Sequence, residues 1–216
     1  MARRLRLTSD AMRAGAVAGR AWMWVALVLA AGASLAWAQP PDVQAAMEWR
    51  PELAWREPWR AITAALLHWS PQHLIANLAG CAVLGLLGLA ARLSPRDAAA
   101  WLLAWPLTQF GLLAEPHLTR YGGLSGVLHA GVAVAVVGMI RRRDAHGRER
   151  VIGLLIGLGL IVKVAAERPL SGPPLRHWDG WGIAIAPLAH LTGLVAGVCA
   201  ALLCALAAQA WARRRA

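Results

Sequence analysis

The sequence predicts an all-α polytopic membrane protein: a bundle of six transmembrane helices with both termini in the cytoplasm. Three observations support this fold class. Hydrophobic residues make up 58% of the 216 residues and charged residues only 15%, whereas soluble domains are about one quarter charged. The hydrophobic residues form six long blocks, and the arginines gather in every second connection between those blocks.

Each hydrophobic block is near the length of about 20 residues that a helix needs to cross a bilayer. The blocks are 21–38, 66–91, 98–114, 125–140, 151–166 and 184–211. Together they predict a membrane domain over 21–211, between a cytoplasmic tail at 1–20 and a basic tail at 212–216. Pro106 lies inside the third block, which is tolerated where neighbouring helices satisfy the freed carbonyl.

The distribution of basic residues predicts the orientation of the chain. Fifteen of the 22 lysines and arginines lie in the N-terminal tail, at 92–96, at 141–150 and at the C-terminus. Cytoplasmic loops carry such an excess, so these four segments are expected on the cytoplasmic side. Because the arginines flank apolar blocks, the net charge of +11 indicates a lipid bilayer as partner and no nucleic acid.

The first block allows a second interpretation, a signal peptide cleaved after Ala36-Trp37-Ala38. The 20 residues before the apolar run are long for the charged region of a signal peptide, so a retained helix is favoured. The connection at 39–60 combines four acids and three arginines with Trp49, Trp55 and Trp59. It is expected to be a folded external segment, half immersed in the membrane interface.

Four polar side chains inside the blocks are expected to share one depth in the membrane. His73 and Asn77 lie on one face of the second helix, because they are four residues apart. Ser125 begins the fourth helix and His190 lies in the sixth. At about 1.5 Å per residue, these residues lie roughly 22 to 34 Å from the arginines that mark the cytoplasmic edge. All four therefore fall in the outer half of the bilayer.

Small residues predict which helices meet there. Gly193 and Gly197 form a GxxxG pair near His190, and Gly126 and Ala130 offer a small surface beside Ser125. Such surfaces let helix backbones approach closely, which would bring His190 to the Ser125 hydroxyl. A serine beside a histidine base is the minimum for nucleophilic acyl transfer.

The spans contain no obvious aspartate or glutamate as a third member, so a Ser-His dyad is predicted. The Ser125 amide, His73 and Asn77 are the candidate donors to an oxyanion. Alternatives remain open: an intramembrane serine commonly bonds a backbone carbonyl, and His129, one turn after Ser125, could be the base in place of His190. No metal site is expected, because the histidines and the cysteines Cys81, Cys199 and Cys204 lack ligand spacing. Nothing in the sequence requires a cofactor.

These motifs resemble those of the rhomboid intramembrane serine proteases. The stretch "YGGLSGVLH", with Gly123, Ser125 and Gly126, is similar to the Gly-x-Ser-Gly helix start of that family. "HLIAN" resembles the family's His-x-x-x-Asn, "AHLTGLVAG" its Ala-His-x-x-Gly, and "EPWRAITAALLHW" the Trp-Arg entry and the histidine after it, which would be Trp59, Arg60 and His68. The resemblance implies Ser125 as nucleophile, His190 as base, and His73, Asn77 and the Ser125 amide as oxyanion hole.

One departure points to a subgroup. Typical bacterial rhomboids have a tyrosine four residues after the serine, stacked on the catalytic histidine, and this chain has His129 there. That histidine and "KVAAER", with Lys163 and Glu167 four residues apart, resemble the rhombosortases. The Lys163–Glu167 pair would handle substrate or support the site, or it would be a structural salt bridge.

The resemblance implies an endopeptidase of the bacterial inner membrane whose site opens to the external face. Its substrates would be membrane-anchored proteins, and for rhombosortases those with a C-terminal glycine-rich motif, a hydrophobic helix and a basic tail. Two other functions stay open: a catalytically silent rhomboid-like protein that binds membrane clients, and a small transporter, although no internal repeat is visible. The sequence does not identify the substrates or the oligomeric state.

Overall fold

The computed structural model describes residues 19–142, 147–178 and 183–215, and they form a helical bundle. The helices are α1 Arg20–Trp37, α2 Pro41–Met47, α3 Arg60–Thr63, α4 Pro71–Ala90, α5 Pro95–Gly111, α6 Ser125–Arg141, α7 Gly147–Ala166 and α8 Pro187–Arg213. Short 3-10 turns occur at Pro51–Leu53, Ala64–Leu66 and Leu112–Ala114. Strands β1 Arg176–Trp178 and β2 Ile183–Ile185 form an antiparallel pair.

The mostly helical membrane fold is confirmed, with the β1–β2 pair as an addition. Helices α1, α4 and α8 are long and apolar enough to cross a membrane, and α6 is a shorter apolar helix. Helices α5 and α7 occupy the other two predicted blocks. The number of six spans and the cytoplasmic side of both termini stay predictions. Most of the tail at 1–20, and 143–146 of the arginine-rich connection, lie outside the described residues.

Capping residues determine where several helices begin. Ser70 caps α4 by accepting a hydrogen bond from the backbone N–H of His73, and Pro71 follows at the first helical position. Ser94 and Asp97 form a capping box at the start of α5. Proline is favoured there because a first-turn N–H has no partner within the helix. Helix α4 begins five residues after the start of the second hydrophobic block, because 64–66 form a separate 3-10 turn.

Helix α6, which begins at Ser125, lies at the centre and contacts α4, α5, α7 and α8. Its closest neighbour is α8. A Cβ atom built on Gly193 would lie 2.0 Å from the carbonyl oxygen of Gly126, and one on Gly197 would lie 2.4 Å from that of Ala130. Only glycine leaves room for this approach, and the contact positions the start of α8 against the start of α6.

The segment 39–60 is folded, but its tryptophans do not form one interfacial set. Trp49 is completely buried, and its backbone pairs with that of Tyr121. Trp55 and Trp59 are 80% and 54% exposed. Trp49 therefore belongs to the protein core, where it packs edge-on against Phe110. That the segment is half immersed in the membrane interface stays a prediction.

Candidate active site

The backbone before α6 places Ser125 at the start of that helix. Gly123 has φ +151°, which side-chain-bearing residues rarely adopt, and its N–H donates to the Ala64 carbonyl at 2.9 Å. The Tyr121 hydroxyl donates to the Gly123 carbonyl at 3.1 Å. Burial raises the pKa of Tyr121 to about 12, so its hydroxyl keeps its proton and remains a donor. The turn that presents Ser125 is thus held at two points.

His190 lies within hydrogen-bond distance of the Ser125 hydroxyl. The distance from Ser125 Oγ to His190 Nε2 is 2.9 Å, and His190 is 3% exposed. A neutral imidazole can accept the hydroxyl proton in this arrangement while Ser125 attacks an acyl carbon. The close contact between α6 and α8 at Gly126 and Gly193 brings these two side chains together.

A carboxylate lies on the other side of His190. His190 Nδ1 is 2.6 Å from Glu167 Oε2, and Glu167 Oε1 is 2.6 Å from Lys163 Nζ. Glu167 directly follows α7. Burial alone would raise its pKa, but the hydrogen bonds to His190 and Lys163 lower that pKa to about 2. The carboxylate is therefore ionised at neutral pH, and the predicted two-residue arrangement omitted it.

His129 contacts the same histidine through its ring face. The His129 and His190 rings stack with centroids 4.1 Å apart and planes 12° from parallel. His129 Nδ1 lies 2.7 Å from the carbonyl oxygen of Ser125, so it donates its proton there. This hydrogen bond is to the serine backbone, and the contact with Oγ belongs to His190.

His73 and Asn77 face Ser125 from α4, and His68 holds the asparagine. His68 Nδ1 donates to the Leu66 carbonyl at 3.1 Å, so its Nε2 is free to accept from Asn77 Nδ2 at 3.0 Å. Asn77 Nδ2 also donates to the His73 carbonyl at 3.1 Å. Both amide protons of Asn77 are thus used, and donation to a substrate oxygen requires one of these bonds to be exchanged.

These side chains line one open cavity of about 750 Å³. Its lining includes His73, Asn77, Ser125, His129, Lys163, Glu167, Ile185 and His190. Trp59 and Arg60, which the resemblance had associated with the site, are not in this lining. Arg60 is buried beside Glu57 and donates to the Glu48 carbonyl at 2.9 Å, so it stabilises the fold of 39–60.

The comparison with family models gives a match to the Rhomboid domain over residues 55–207. That range contains each side chain of the cavity and covers more than half of the chain. The chain belongs to the rhomboid family. It is also 29% identical over 177 residues to "Rhomboid protease GlpG" of Photorhabdus laumondii, a match that covers 77% of this chain and 55% of that protein. This chain thus spans about half the length of the relative it matches.

The rhomboid site contains two contacts that sequence reasoning missed. The sequence placed Glu167 beside Lys163 but not against His190, because Glu167 lies outside the apolar blocks. A comparison of depths in the membrane could have found the Glu167–His190 contact, because α7 ends at the level where α8 begins. The His68–Asn77 bond was also missed, because His68 precedes α4 and no helical spacing relates the two residues.

The rhomboid chain shows no cluster of three His, Cys, Asp or Glu side chains suited to a metal within the described ranges. His68 and His73 are one pair of neighbouring histidines, and their rings meet edge to face at 4.8 Å. His68 has both nitrogens engaged in hydrogen bonds, so a metal would have to displace one of them.

Proposed function

We propose that this rhomboid protein is an intramembrane serine endopeptidase that cleaves membrane-anchored proteins near the external face of the inner membrane. The observation that carries the proposal is the hydrogen bond of 2.9 Å between Ser125 and a buried His190 in an open cavity. Family membership and the likeness to a rhomboid protease support it. We assign Ser125 as nucleophile and His190 as base.

In the first step, Ser125 Oγ attacks the carbonyl carbon of the scissile peptide bond. The hydroxyl proton passes to His190 Nε2 as the new C–O bond forms and the carbonyl oxygen becomes an oxyanion. His190 then carries a positive charge next to the Glu167 carboxylate, 2.6 Å away. That carboxylate stabilises the imidazolium and keeps its Nδ1 protonated, so that Nε2 faces the serine.

The oxyanion forms where several donors can reach it. The Ser125 amide is at the N-terminus of a 17-residue helix, where backbone N–H groups and the helix dipole favour negative charge. His73 and Asn77 complete the set from α4. For Asn77 we propose that one amide proton shifts from the His73 carbonyl or His68 to the oxyanion, which makes its contribution specific to the transition state.

Collapse of the intermediate breaks the C–N bond, and the leaving amine takes the proton from His190 Nε2. The acyl chain stays on Ser125 Oγ as an ester. A water molecule then attacks the ester carbon and gives a proton to His190 Nε2. The bond from that carbon to Ser125 Oγ breaks, His190 returns the proton to Oγ, and the carboxylic acid product leaves with the serine hydroxyl restored. The cavity must therefore admit both water and an unwound substrate segment, because helical peptide bonds are shielded from attack.

Within the family, we propose a rhombosortase-type substrate: an exported protein with a glycine-rich motif, a hydrophobic helix and a basic tail at its C-terminus. Support comes from His129 in place of the usual tyrosine, stacked on His190, and from the Lys163–Glu167 pair beside it. Glycine-rich segments unwind most easily, which suits delivery of a peptide bond to a buried serine.

The test is co-expression in a bacterial membrane with two tagged clients. One is an exported protein that ends in this tripartite tail, and the other is an ordinary rhomboid substrate. Tag release and product mass are compared for the wild type, Ser125→Ala and His190→Ala. We expect the tripartite client to be cut by the wild type and by neither variant.

Two outcomes of this experiment would contradict part of the proposed function. Cleavage of the ordinary substrate alone would retain the protease and reject the subgroup. No cleavage of either client by folded, abundant protein would favour the alternative, a silent rhomboid-like binding protein.

If His129 were the base, His129→Tyr would abolish cleavage. We expect His129→Tyr to keep activity within a few-fold, because an aromatic ring can still stack on His190.

A further inference from the structure

A second cavity, of about 480 Å³, lies at the end of the bundle opposite Ser125. It is bounded by the start of α5 and the residues just before it, the end of α6 and the C-terminal half of α8. Four arginines line it, namely Arg92, Arg96, Arg141 and Arg142. Nothing in the proposed protease chemistry uses this cavity, because α6 separates it from the serine by its full length.

Three of these arginines carry charge that no described carboxylate pairs with, whereas Arg142 donates to the Ala91 carbonyl. In the parts of the chain that the structure describes, the guanidinium groups of Arg92, Arg96 and Arg141 have no ion pair. The one carboxylate in the lining is Asp97, and its Oδ2 already accepts two hydrogen bonds of 2.7 Å from the N–H and hydroxyl of Ser94. Several guanidinium groups thus face a space that an anion can enter.

The remaining lining combines small and apolar residues with the polar side chains of Ser94 and Gln209. Gly138, Ala201 and Ala205 provide a surface of small residues. Helix α6 has 17 residues between Ser125 and Arg141, which is roughly 25 Å of helix. If Ser125 lies in the outer half of the bilayer, the arginines lie at the headgroup level of the other leaflet, where basic pockets between helices bind anionic headgroups.

We propose that this cavity binds a phosphate group, either that of an anionic phospholipid headgroup or a free phosphate. Guanidinium groups match phosphate oxygens in geometry and charge. Binding there would link α5, α6 and α8 at the end remote from the active site. Two of these helices carry Ser125 and His190, so the bound group would stabilise the scaffold without taking part in catalysis. Phosphate binding in this cavity does not require that the protein be a protease.

The test uses the full chain purified in a zwitterionic detergent and stripped of lipid. Binding of phosphatidylglycerol, phosphatidylcholine and inorganic phosphate is followed by native mass spectrometry and by the thermal midpoint. The cavity variant is Arg92→Gln/Arg96→Gln/Arg141→Gln. The matched control is Arg213→Gln/Arg214→Gln/Arg215→Gln, which removes the same charge from residues that do not line the cavity.

We expect phosphatidylglycerol to bind the wild type and the control equally. The cavity variant should bind it about tenfold more weakly or worse, because charged hydrogen bonds are lost. Competition by millimolar inorganic phosphate would assign the site to the phosphate moiety itself, and phosphate binding without lipid would identify free phosphate as a ligand. Two results would overturn the proposal. In one, the cavity variant binds lipid and phosphate as tightly as the control variant does; in the other, the folded wild type binds neither phosphatidylglycerol nor phosphate. If the triple variant does not fold, Arg96→Glu, on an exposed side chain, gives the same comparison.

Discussion

At the scale of single residues, Glu167 is the side chain that changes the chemistry most. It accepts from His190 Nδ1 at 2.6 Å and from Lys163 Nζ at 2.6 Å. One carboxylate oxygen is thus held by a lysine while the other orients the histidine. The geometry resembles the Ser-His-acid pattern of soluble serine hydrolases, with the carboxylate on the residue that directly follows α7.

Replacing this carboxylate should slow the chemical step and leave substrate binding largely intact. Glu167→Gln keeps a hydrogen-bond acceptor for His190 but removes the negative charge. We expect kcat to fall roughly 10²- to 10⁴-fold, the range for general acid–base catalysis, with KM changed little. Cleavage kinetics in detergent or proteoliposomes would measure both.

Two further variants control for a purely structural role. Glu167→Asp retains the charge on a shorter side chain and should recover part of kcat, whereas Lys163→Met removes the lysine contact and should cost less than Glu167→Gln. A Glu167→Gln enzyme with normal kcat, or one whose loss matches a drop in thermal midpoint that Glu167→Asp shares, would mean that Glu167 only holds the fold.

At the scale of elements, the contact between α6 and α8 positions the site. Gly126 and Gly193 allow the two backbones to meet at the level of Ser125 and His190, where a Cβ on Gly193 would lie 2.0 Å from a carbonyl oxygen. Because that neighbour is backbone, it cannot rotate away. The distance between Ser125 and His190 therefore depends on residue 193 being glycine, because the methyl group of an alanine there would push α6 and α8 apart.

Alanine substitutions at two helical glycines test this contact. Gly193→Ala should lower the free energy of unfolding by about 1 to 3 kcal/mol, the cost of overpacking, and should reduce activity by separating α6 from α8. Gly159→Ala, in α7, meets no atom within 4 Å. It should leave activity unchanged and stabilise the helix by about 0.5 to 1 kcal/mol.

Thermal midpoints and cleavage rates of the two variants in the same detergent make the comparison. A Gly193→Ala protein as stable and active as the wild type would show that α6 and α8 lie further apart than described.

At the scale of the whole molecule, the two ends of the bundle differ in charge and in the polar side chains that they carry. The candidate active site opens at the end where α6 begins, and the arginines at 141–142 and 213–215 lie where α6 and α8 end. The positive-inside rule predicts that the active-site end lies outside.

Cysteine labelling tests this orientation. With Cys81, Cys199 and Cys204 replaced by alanine, Ser171→Cys and Ala212→Cys provide one exposed thiol each, at opposite ends of the bundle. A membrane-impermeant maleimide should label Ser171→Cys in cells with a permeable outer envelope, and Ala212→Cys only after the inner membrane is opened. The reverse labelling order would invert the topology.

The long helices could be predicted from sequence alone, as could the serine, histidines and glycines that the structure brings together at the candidate site. Hydrophobic blocks predict helices because every backbone polar group in lipid must be satisfied within its own segment, and that requirement is local. The small-residue spacings at Gly193 and Gly197 likewise identify an interface from one helix alone.

Which side chain faces each nitrogen of His190 follows from the packing of the helices, and the sequence did not predict it. The position of Glu167 depends on where α7 ends relative to the start of α8, and the Asn77–His68 bond depends on the turn before α4. Neither contact corresponds to a regular residue spacing in the sequence. Such contacts join segments far apart in the chain, so their geometry follows from packing, whereas the helices follow from composition.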